Sequence, residues 1–302
     1  MTAWAATPGQ EPSGGGAVVS RFAPSPTGRL HLGHAYSCIL AHDYARERGG
    51  AFRLRIEDID PGRTREEFVE GIFEDLAWLG LAWDGEVVRQ SARLPLYAVA
   101  LERLKAAGLV YPCFCTRSAI ASEIAASASA PHGPDGALYP GTCRRLTQAE
   151  RVARLREPHA WRLDNARAAA AAGPLYWMDG NTEVQAEPEA FGDVVLARKD
   201  APVSYHLAVT VDDAAQGVTD VVRGRDLYAA TDVHRLLQAL LGLPTPLYHH
   251  HPLLTDAQGG RLAKRHGAPT LASLREAGAD PGEIVAALRA GRLPAGYSMA
   301  EV

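Results

Sequence analysis

The stretch RFAPSPTGRLHLGH, residues 21–34, decides the fold of this 302-residue chain. An apolar run at residues 17–19 predicts a buried strand, the proline-stiffened loop 24–28 turns the chain, and a helical pattern runs from His31 to Glu47. The start of a helix beside such a loop offers backbone N–H groups that have no partner within the helix and that favour phosphate. The stretch therefore predicts a strand–loop–helix unit that binds a nucleotide.

Strand and helix patterns alternate on the C-terminal side of this stretch, which predicts an α/β fold with a doubly wound, Rossmann-like parallel sheet. The alanine-rich tracts 119–130 and 166–172 are interpreted as helix-forming filler. The predicted helices span residues 64–79, 93–107, 226–241 and 270–290. The predicted strands span residues 52–56, 203–211, 218–222 and 247–250.

The pattern changes near Leu109, after which three of the four cysteines follow. This change predicts an insertion between two halves of a nucleotide-binding domain. The predicted parts are a disordered Gly/Pro/Ser-rich tail at 1–16, the first half of the domain at 17–108, a zinc-bearing and tRNA-contacting insertion at 109–192, the second half at 193–265 and a small helical tail domain at 266–302.

Composition excludes several classes of protein. Hydrophobic residues make up 47% and charged residues 22%, as in ordinary soluble proteins, and the net charge of -4 requires that any nucleic-acid partner bind a local basic patch. No apolar run approaches the roughly 18 residues of a membrane span, and the N-terminus lacks the features of a signal peptide. Few, clustered cysteines favour a cytoplasmic protein that uses thiols for metal. A monomer is expected.

Two histidines of the opening stretch carry the chemistry that is expected there. His31 and His34 are three residues apart, so their imidazoles are expected on one helix face, where they can donate hydrogen bonds to phosphate oxygens. Gly33 between them leaves room for an adenine ring against the backbone. The string His31-Leu32-Gly33-His34 resembles the HIGH motif of class I aminoacyl-tRNA synthetases, and residues 21–28 resemble the form found in their glutamyl/glutaminyl branch.

A second motif of that family follows at residues 261–265, RLAKR, which come after a predicted strand and a glycine-rich turn. They resemble the KMSKS loop, although Ala263 and Arg265 stand where serines are usual. The resemblance implies that His31, His34 and Lys264 are catalytic. It implies an ATP site, with Mg²⁺, at Pro24, Ser25, His31, Gly33, His34, Arg261, Leu262 and Lys264.

A glutamate substrate would bring two carboxylates and one ammonium group into a partly dry cleft, where each needs a charged or hydrogen-bonding partner. Arg21 and Glu57 lie at the ends of two predicted strands, and Arg223 lies at the end of another. The string at residues 54–61, LRIEDIDP, resembles one that marks the glutamyl branch. The resemblance implies L-glutamate binding at Arg21, Ala23, Ser25, Glu57, Tyr205 and Arg223.

Other interpretations of these residues stay open. The carboxylates at residues 57–60 could form a metal site, and Asp60 could cap the helix that begins nearby. Arg223 could form a surface ion pair. The pair Asp212-Asp213 suggests a magnesium site, and its role is left open.

Cys113-Phe114-Cys115 and the later Cys143 predict one structural Zn²⁺, because three thiolates need only one further ligand for a tetrahedron. The family resemblance implies that Tyr139 is that ligand, and His132 is the conventional alternative. Plain buried cysteines are the other interpretation, and Cys38 is expected in the core. Residues 249–251 are three histidines on a predicted strand, where neighbours alternate between faces, which disfavours a metal trio.

The family resemblance also implies a reaction. Full-length glutamyl enzymes continue for well over a hundred residues to read the anticodon, whereas this chain stops at Val302. Its length therefore matches a short paralogue that activates glutamate as the adenylate and loads it onto queuosine, at the wobble position of queuosine-containing tRNA(Asp). Alternatives are a truncated glutamyl enzyme that charges tRNA(Glu), a non-enzymatic zinc-bearing tRNA-binding module and a small nucleotidyltransferase. Arginines at residues 144–156 are candidate tRNA contacts or a solvated helix face.

Overall fold

The computed structural model describes residues 17–126, 132–134, 136–256, 269–293 and 296–300, with the side chains of Ala126 and His132 left out. The predicted disordered tail and the KMSKS-like loop, including Arg261, Leu262 and Lys264, lie outside the described residues. No helix in the described part of the chain has the length and apolarity needed to cross a bilayer.

The first half of the predicted nucleotide-binding domain is a parallel three-stranded sheet with helices, as the sequence indicates. In the order β1-β2-β3, Val19 pairs with Ala51 and Phe22 with Leu54. Its strands β1 and β2 are connected through α1, and the large apolar side chains of β2, those of Phe52, Leu54 and Ile56, are fully buried. The elements are β1 (Val19–Phe22), α1 (Leu32–Arg46), β2 (Ala51–Ile56), α2 (Glu66–Trp78), β3 (Val88–Arg89) and α3 (Leu94–Ala106).

The next part of the chain contains a small antiparallel sheet of three strands, in which the central strand pairs with one strand on each side. Both alanine-rich tracts form helices where they are described, as predicted. The elements are β4 (Val110–Cys113), α4 (Arg117–Ala126), β5 (His132–Gly133), β6 (Gly136–Ala137), α5 (Gln148–Arg154), β7 (Ala160–Leu163), α6 (Asn165–Ala172), β8 (Tyr176–Asp179), β9 (Thr182–Gln185) and β10 (Val195–Ala197). The small sheet has the order β10-β7-β4.

The second half of the fold completes the parallel sheet. Its four strands have the order β11-β12-β8-β9, with β11 parallel to β12 and β12 parallel to β8. A backbone hydrogen bond of 3.0 Å from Thr219 N–H to the Val19 carbonyl joins it to β1. The elements are α7 (Tyr205–Ala215), β11 (Asp220–Gly224), α8 (Ala230–Leu241), β12 (Leu247–His251), β13 (Leu253–Asp256), α9 (Leu271–Glu276), α10 (Pro281–Arg289) and β14 (Tyr297–Ala300).

One predicted strand is wrong. Residues 203–211 were predicted to be extended, but they belong largely to helix α7. The run is apolar because α7 is buried on most of its circumference: Leu207, Ala208 and Val209 are at most 2% exposed. Burial on all sides removes the helical period from the sequence, so a short apolar run cannot distinguish a buried helix from a buried strand. Two smaller differences are that β1 begins at Val19 and that the predicted helix 270–290 is divided into α9 and α10.

Candidate active site

The two histidines of the opening motif cap helix α1, and their rings lie side by side as predicted, with centroids 3.9 Å apart. His31 precedes the helix in extended conformation, and its Nδ1 accepts a hydrogen bond of 3.1 Å from the Gly33 N–H. The His31 N–H in turn donates to Nδ1 of His34 over 3.2 Å. Because both Nδ1 atoms accept, each neutral ring carries its proton on Nε2. Two N–H donors of this kind suit the oxygens of a phosphate chain.

A cavity of about 500 Å³ opens beside this helix start, at the carboxyl ends of the parallel strands. Arg21 comes from β1, Glu57 follows β2, Tyr205 is the first residue of α7, and Arg223 lies on β11. The structure thus brings together all the predicted ATP and glutamate residues that it describes, and their individual roles stay predictions. These lining residues are Arg21, Ala23, Pro24, Ser25, His31, Gly33, His34, Glu57, Tyr205 and Arg223.

A buried network of ion pairs forms the floor of the cavity. Asp213 accepts from Arg21 Nε over 3.1 Å and from Arg55 Nη1 over 2.7 Å. Arg55, whose side chain is fully buried, also donates to Glu57 Oε1 over 3.3 Å. Arg21 is therefore paired within the chain before any ligand arrives. Arg55 was not among the predicted site residues, and Asp213 was named only as part of a possible magnesium site.

Burial and the guanidinium groups act in opposite directions on these carboxyls. Loss of water raises the pKa of Glu57, and the charges of Arg55 and Arg21 only partly offset it. Burial also disfavours the charged form of Asp213, but Arg21 and Arg55 outweigh it and lower the pKa of Asp213. Asp213 is consequently a permanent anion that fixes two arginines.

The acidic residues that the sequence left as possible metal ligands or helix caps all accept hydrogen bonds from side chains or from the backbone. Asp212 accepts from Arg93, Gln90 and Tyr97 within 2.9 Å. Since Asp213 holds two arginines, the pair Asp212-Asp213 has the partners of an ion-pair network rather than those of a magnesium site. Asp60 does not cap α2, whose N-cap position is Arg65; it accepts instead from the Gly62 N–H.

Arg223 is not a surface residue. Its side chain is 5% exposed, and it donates to Thr231 Oγ1 over 2.8 Å and to the Leu227 carbonyl over 3.1 Å. The surface ion pair that the sequence left open is therefore wrong. Burial of a guanidinium beside a cavity makes it a strong partner for a ligand carboxylate.

The three clustered cysteines converge, although Cys143 is 30 residues along the chain from Cys113. Their Sγ atoms lie within 4.8 Å of one another, and Cys115 and Cys143 are 3.5 Å apart. The Tyr139 hydroxyl lies 3.4 Å from Cys113 Sγ and 3.5 Å from Cys115 Sγ. Thiolates around one tetrahedral zinc are about 3.8 Å apart, so the four side chains fit a Cys₃Tyr site. The side chain of His132, the alternative ligand, lies outside the described residues.

The histidines at residues 249–251 turn to three different partners. His249 contacts Asp220, His250 contacts Asp179 at 3.0 Å, and His251 contacts the Ser37 hydroxyl. His251 also lines the cavity, and His250 touches Arg223. In the sequence, the run of three histidines was the only signal for these two contacts. The sequence analysis considered this run only as a possible metal site.

Four of the five candidate tRNA-contacting arginines make contacts within the chain. Arg144 pairs with Asp193, Arg145 with Glu123, and Arg154 with Glu157. Arg151 donates to a backbone carbonyl. These contacts neutralise much of the run, so a role in binding tRNA stays a prediction.

Comparison with known proteins gives a consistent result. The family described as tRNA synthetases class I (E and Q), catalytic domain, matches residues 17–298. A glutamyl-Q tRNA(Asp) synthetase of Rhodobacter capsulatus is 52% identical to the chain, over 88% of this chain and 98% of that protein. A protein of the same name from Deinococcus radiodurans is 48% identical, over 90% of this chain and 88% of that protein.

Solved structures agree on the fold. A glutamate-tRNA synthetase from Elizabethkingia anophelis superposes with a TM-score of 0.70 at 28% identity, over 84% of this chain and 55% of that one. A glutamate tRNA ligase from Elizabethkingia meningosepticum, solved in complex with its amino acid, has the same score and identity. The chain thus spans about half the length of these two synthetases. The predicted class I synthetase fold, with its parallel sheet and helices, is confirmed.

We expect one equivalent of zinc per chain, because three thiols and a phenol converge on one point. Elemental analysis of protein purified without chelators measures it. Cys143→Ala should lose the metal, whereas Cys38→Ala, which removes a buried thiol far from the cluster, should keep it. Cys113→Ala should loosen the fold around the cluster more than it slows adenylate formation. Metal-free wild-type protein, or equal zinc in both alanine variants, would exclude the site.

The free energy of unfolding should depend on pH through His250. Burial and the charge of Arg223 lower the pKa of His250 from 6.5 to about 4. Below its unfolded pKa the unfolded chain binds a proton that the folded chain does not, so stability falls as the pH drops from 6.5 towards 4. Between about pH 7.5 and about pH 5, urea unfolding of the wild type should lose about 2 kcal/mol more than that of His250→Gln. Equal losses would contradict this prediction.

Proposed function

Since this chain belongs to the class I tRNA synthetases of the E and Q family, and within it matches glutamyl-Q tRNA(Asp) synthetases along most of its length, we propose that it is an ATP-dependent ligase for glutamate. It activates L-glutamate as glutamyl-adenylate. It then transfers the glutamyl group to the queuosine base at the wobble position of tRNA(Asp).

The observation that carries this proposal is the charge of the pocket. Three guanidinium groups, those of Arg21, Arg55 and Arg223, lie in or under the cavity. Arg21 and Arg55 pair with the carboxylates of Asp213, Glu57 and Asp212. Among the described residues, Arg223 hydrogen-bonds instead to imidazoles and neutral oxygens. The side-chain carboxylate of glutamate would pair with this guanidinium, and the neutral amide of glutamine would not.

The same charges orient the substrate. Arg21 is already paired with Asp213, so Arg223 is the cation that receives the side-chain carboxylate. Glu57, the residue that follows β2, also lines the cavity and takes the ammonium group. In this arrangement the α-carboxylate faces the loop that precedes α1, near His31 and His34.

In the first step an oxygen of the α-carboxylate attacks the α-phosphorus of ATP. The bond from that phosphorus to the bridging oxygen breaks, and pyrophosphate leaves. His31 and His34 donate their Nε2 protons as hydrogen bonds to the phosphate oxygens, where charge develops. Mg²⁺, which is expected with ATP in this family, supplies further positive charge to the phosphates. The residues of the pocket otherwise act by holding the α-carboxylate of glutamate in line with the α-phosphate of ATP.

In the second step a hydroxyl of the queuosine ring attacks the activated carbonyl. The new ester bond forms, the bond from the carbonyl carbon to the phosphate oxygen breaks, and AMP leaves with the electron pair. The hydroxyl proton goes to solvent or to the leaving phosphate. Cys113, Cys115, Cys143 and Tyr139 would hold a zinc ion, which would support the fold and take no part in these steps.

A second candidate function is charging of the 3′ end of tRNA(Glu), since solved glutamate-tRNA synthetases share the fold at 28% identity. Three substrates separate the two functions: tRNA(Asp) with queuosine, the same tRNA without it, and tRNA(Glu). We expect labelled glutamate only on the first. Glutamate on tRNA(Glu), and none on modified tRNA(Asp), would establish the second function.

The amino-acid pocket is tested by ATP–pyrophosphate exchange without tRNA. Wild-type protein should exchange with glutamate and respond to glutamine less well, by a factor on the order of 10² or more, because an amide leaves Arg223 unpaired. Arg223→Gln should lower kcat/KM for glutamate on the order of 10²-fold and should reduce the preference for glutamate over glutamine.

The matched control is Arg103→Gln, which removes an exposed arginine from α3. Its exchange rates should equal those of the wild type. If the wild type activates both amino acids equally, or Arg223→Gln keeps full discrimination, another residue selects the substrate.

A further inference from the structure

The guanidinium of Arg223 is held by imidazoles and neutral oxygens. Its Nε donates to His250 Nε2 over 3.2 Å, and its Nη1 lies 3.4 Å from His234 Nδ1. Its Nη2 donates to Thr231 Oγ1 and to the Leu227 carbonyl. Each nitrogen of the group therefore has a partner, and none of these partners carries a negative charge.

The other arginines of the pocket have the opposite arrangement. Arg21 and Arg55 both pair with the carboxylate of Asp213. Within the part of the chain that the structure describes, Arg223 forms no ion pair with a carboxylate. Its charge is therefore the one that remains for a ligand carboxylate.

Donor chemistry fixes the protonation of both histidines. A guanidinium can only donate, so His234 Nδ1 and His250 Nε2 must accept. The remaining nitrogen of each neutral ring then carries the proton: His234 Nε2 faces His206 Nδ1 at 3.2 Å, and His250 Nδ1 faces Asp179 Oδ1 at 3.0 Å. Each ring is thus anchored on one side and accepts on the other.

The surroundings keep these rings neutral. His234 is 2% exposed, and the side chain of His250 has no exposed surface. Burial, followed by the neighbouring charge of Arg223, lowers the pKa of both imidazoles. The negative charge of Asp179 acts on the far side of His250, where it orients the ring.

We propose that His234 and His250 are specificity-determining positioning residues, which hold Arg223 through neutral acceptors and so leave its charge for the side-chain carboxylate of glutamate. The inference rests on the proposed function and deepens it. A carboxylate at either position would hold the arginine equally well but would neutralise it, and glutamate would then lose its advantage over glutamine.

One pair of variants separates charge from shape. Asn and Asp both put an oxygen near the position of His234 Nδ1, and they differ only in charge. We expect His234→Asn to keep the preference for glutamate over glutamine within about threefold of the wild type. His234→Asp should raise KM for glutamate about tenfold or more, should not lower glutamine activation, should leave KM for ATP unchanged, and should lower the preference for glutamate over glutamine correspondingly. Exchange assays at about pH 8 keep the new carboxyl ionised beside the guanidinium.

Equal preferences in two active variants would overturn the inference and leave the proposed function intact. Absence of glutamate-dependent exchange in the wild type would overturn the proposed function, and this inference with it. If thermal unfolding shows that the His234 variants do not fold, His250→Gln and His250→Leu decide. Gln returns an acceptor near Nε2 and should retain the preference, whereas Leu should lose it. A Leu variant with wild-type preference would contradict the inference.

Discussion

The contact on which the rest of the molecule depends is the buried ion pair between Arg55 and Asp213. It joins β2, in the first half of the sheet, to α7 in the second half, across the whole cysteine-bearing part of the chain. The same carboxylate holds Arg21, and the same guanidinium holds Glu57. Removing one partner of a buried pair typically costs about 3–5 kcal/mol, because the other charge is left without compensation. This contact therefore links the two halves of the sheet at the pocket, where Arg223 is the arginine that pairs with no carboxylate in the described part of the chain.

Much of the fold could be predicted because its signals are local. The loop at residues 24–28 and the cap at His31 determine where α1 begins, and β2 follows after the glycine turn. Helix α7 could not be predicted, since burial all round gives its sequence the same apolar run as a strand. Arg55 was not predicted as a site residue, for a related reason. Alternation along the strand places its side chain on the same face as that of Arg53, which is only half-buried, whereas Arg55 is fully buried.

The candidate site likewise contains some residues that could be predicted from the sequence and some that could not. Residues that belong to motifs, such as His34 and Glu57, could be named from the sequence and converge on one cavity. The residues that hold these motif residues in position could not be named from the sequence. His234 lies within an amphipathic helix and has no motif, and its value as a neutral acceptor exists only because folding brings Arg223 against it. Protonation states of this kind depend on the tertiary environment, which no local pattern encodes.

The distance along the chain between Arg21 and its partner has a consequence for synthesis. The two ends of that ion pair are separated by 192 residues. On the ribosome, β1 and β2 emerge early, and Arg21 and Arg55 cannot pair with Asp213 until α7 has left the exit tunnel. Contacts of such long range slow folding, because loop closure precedes the gain in energy. The amino-acid pocket can therefore be completed only after α7 has been synthesised.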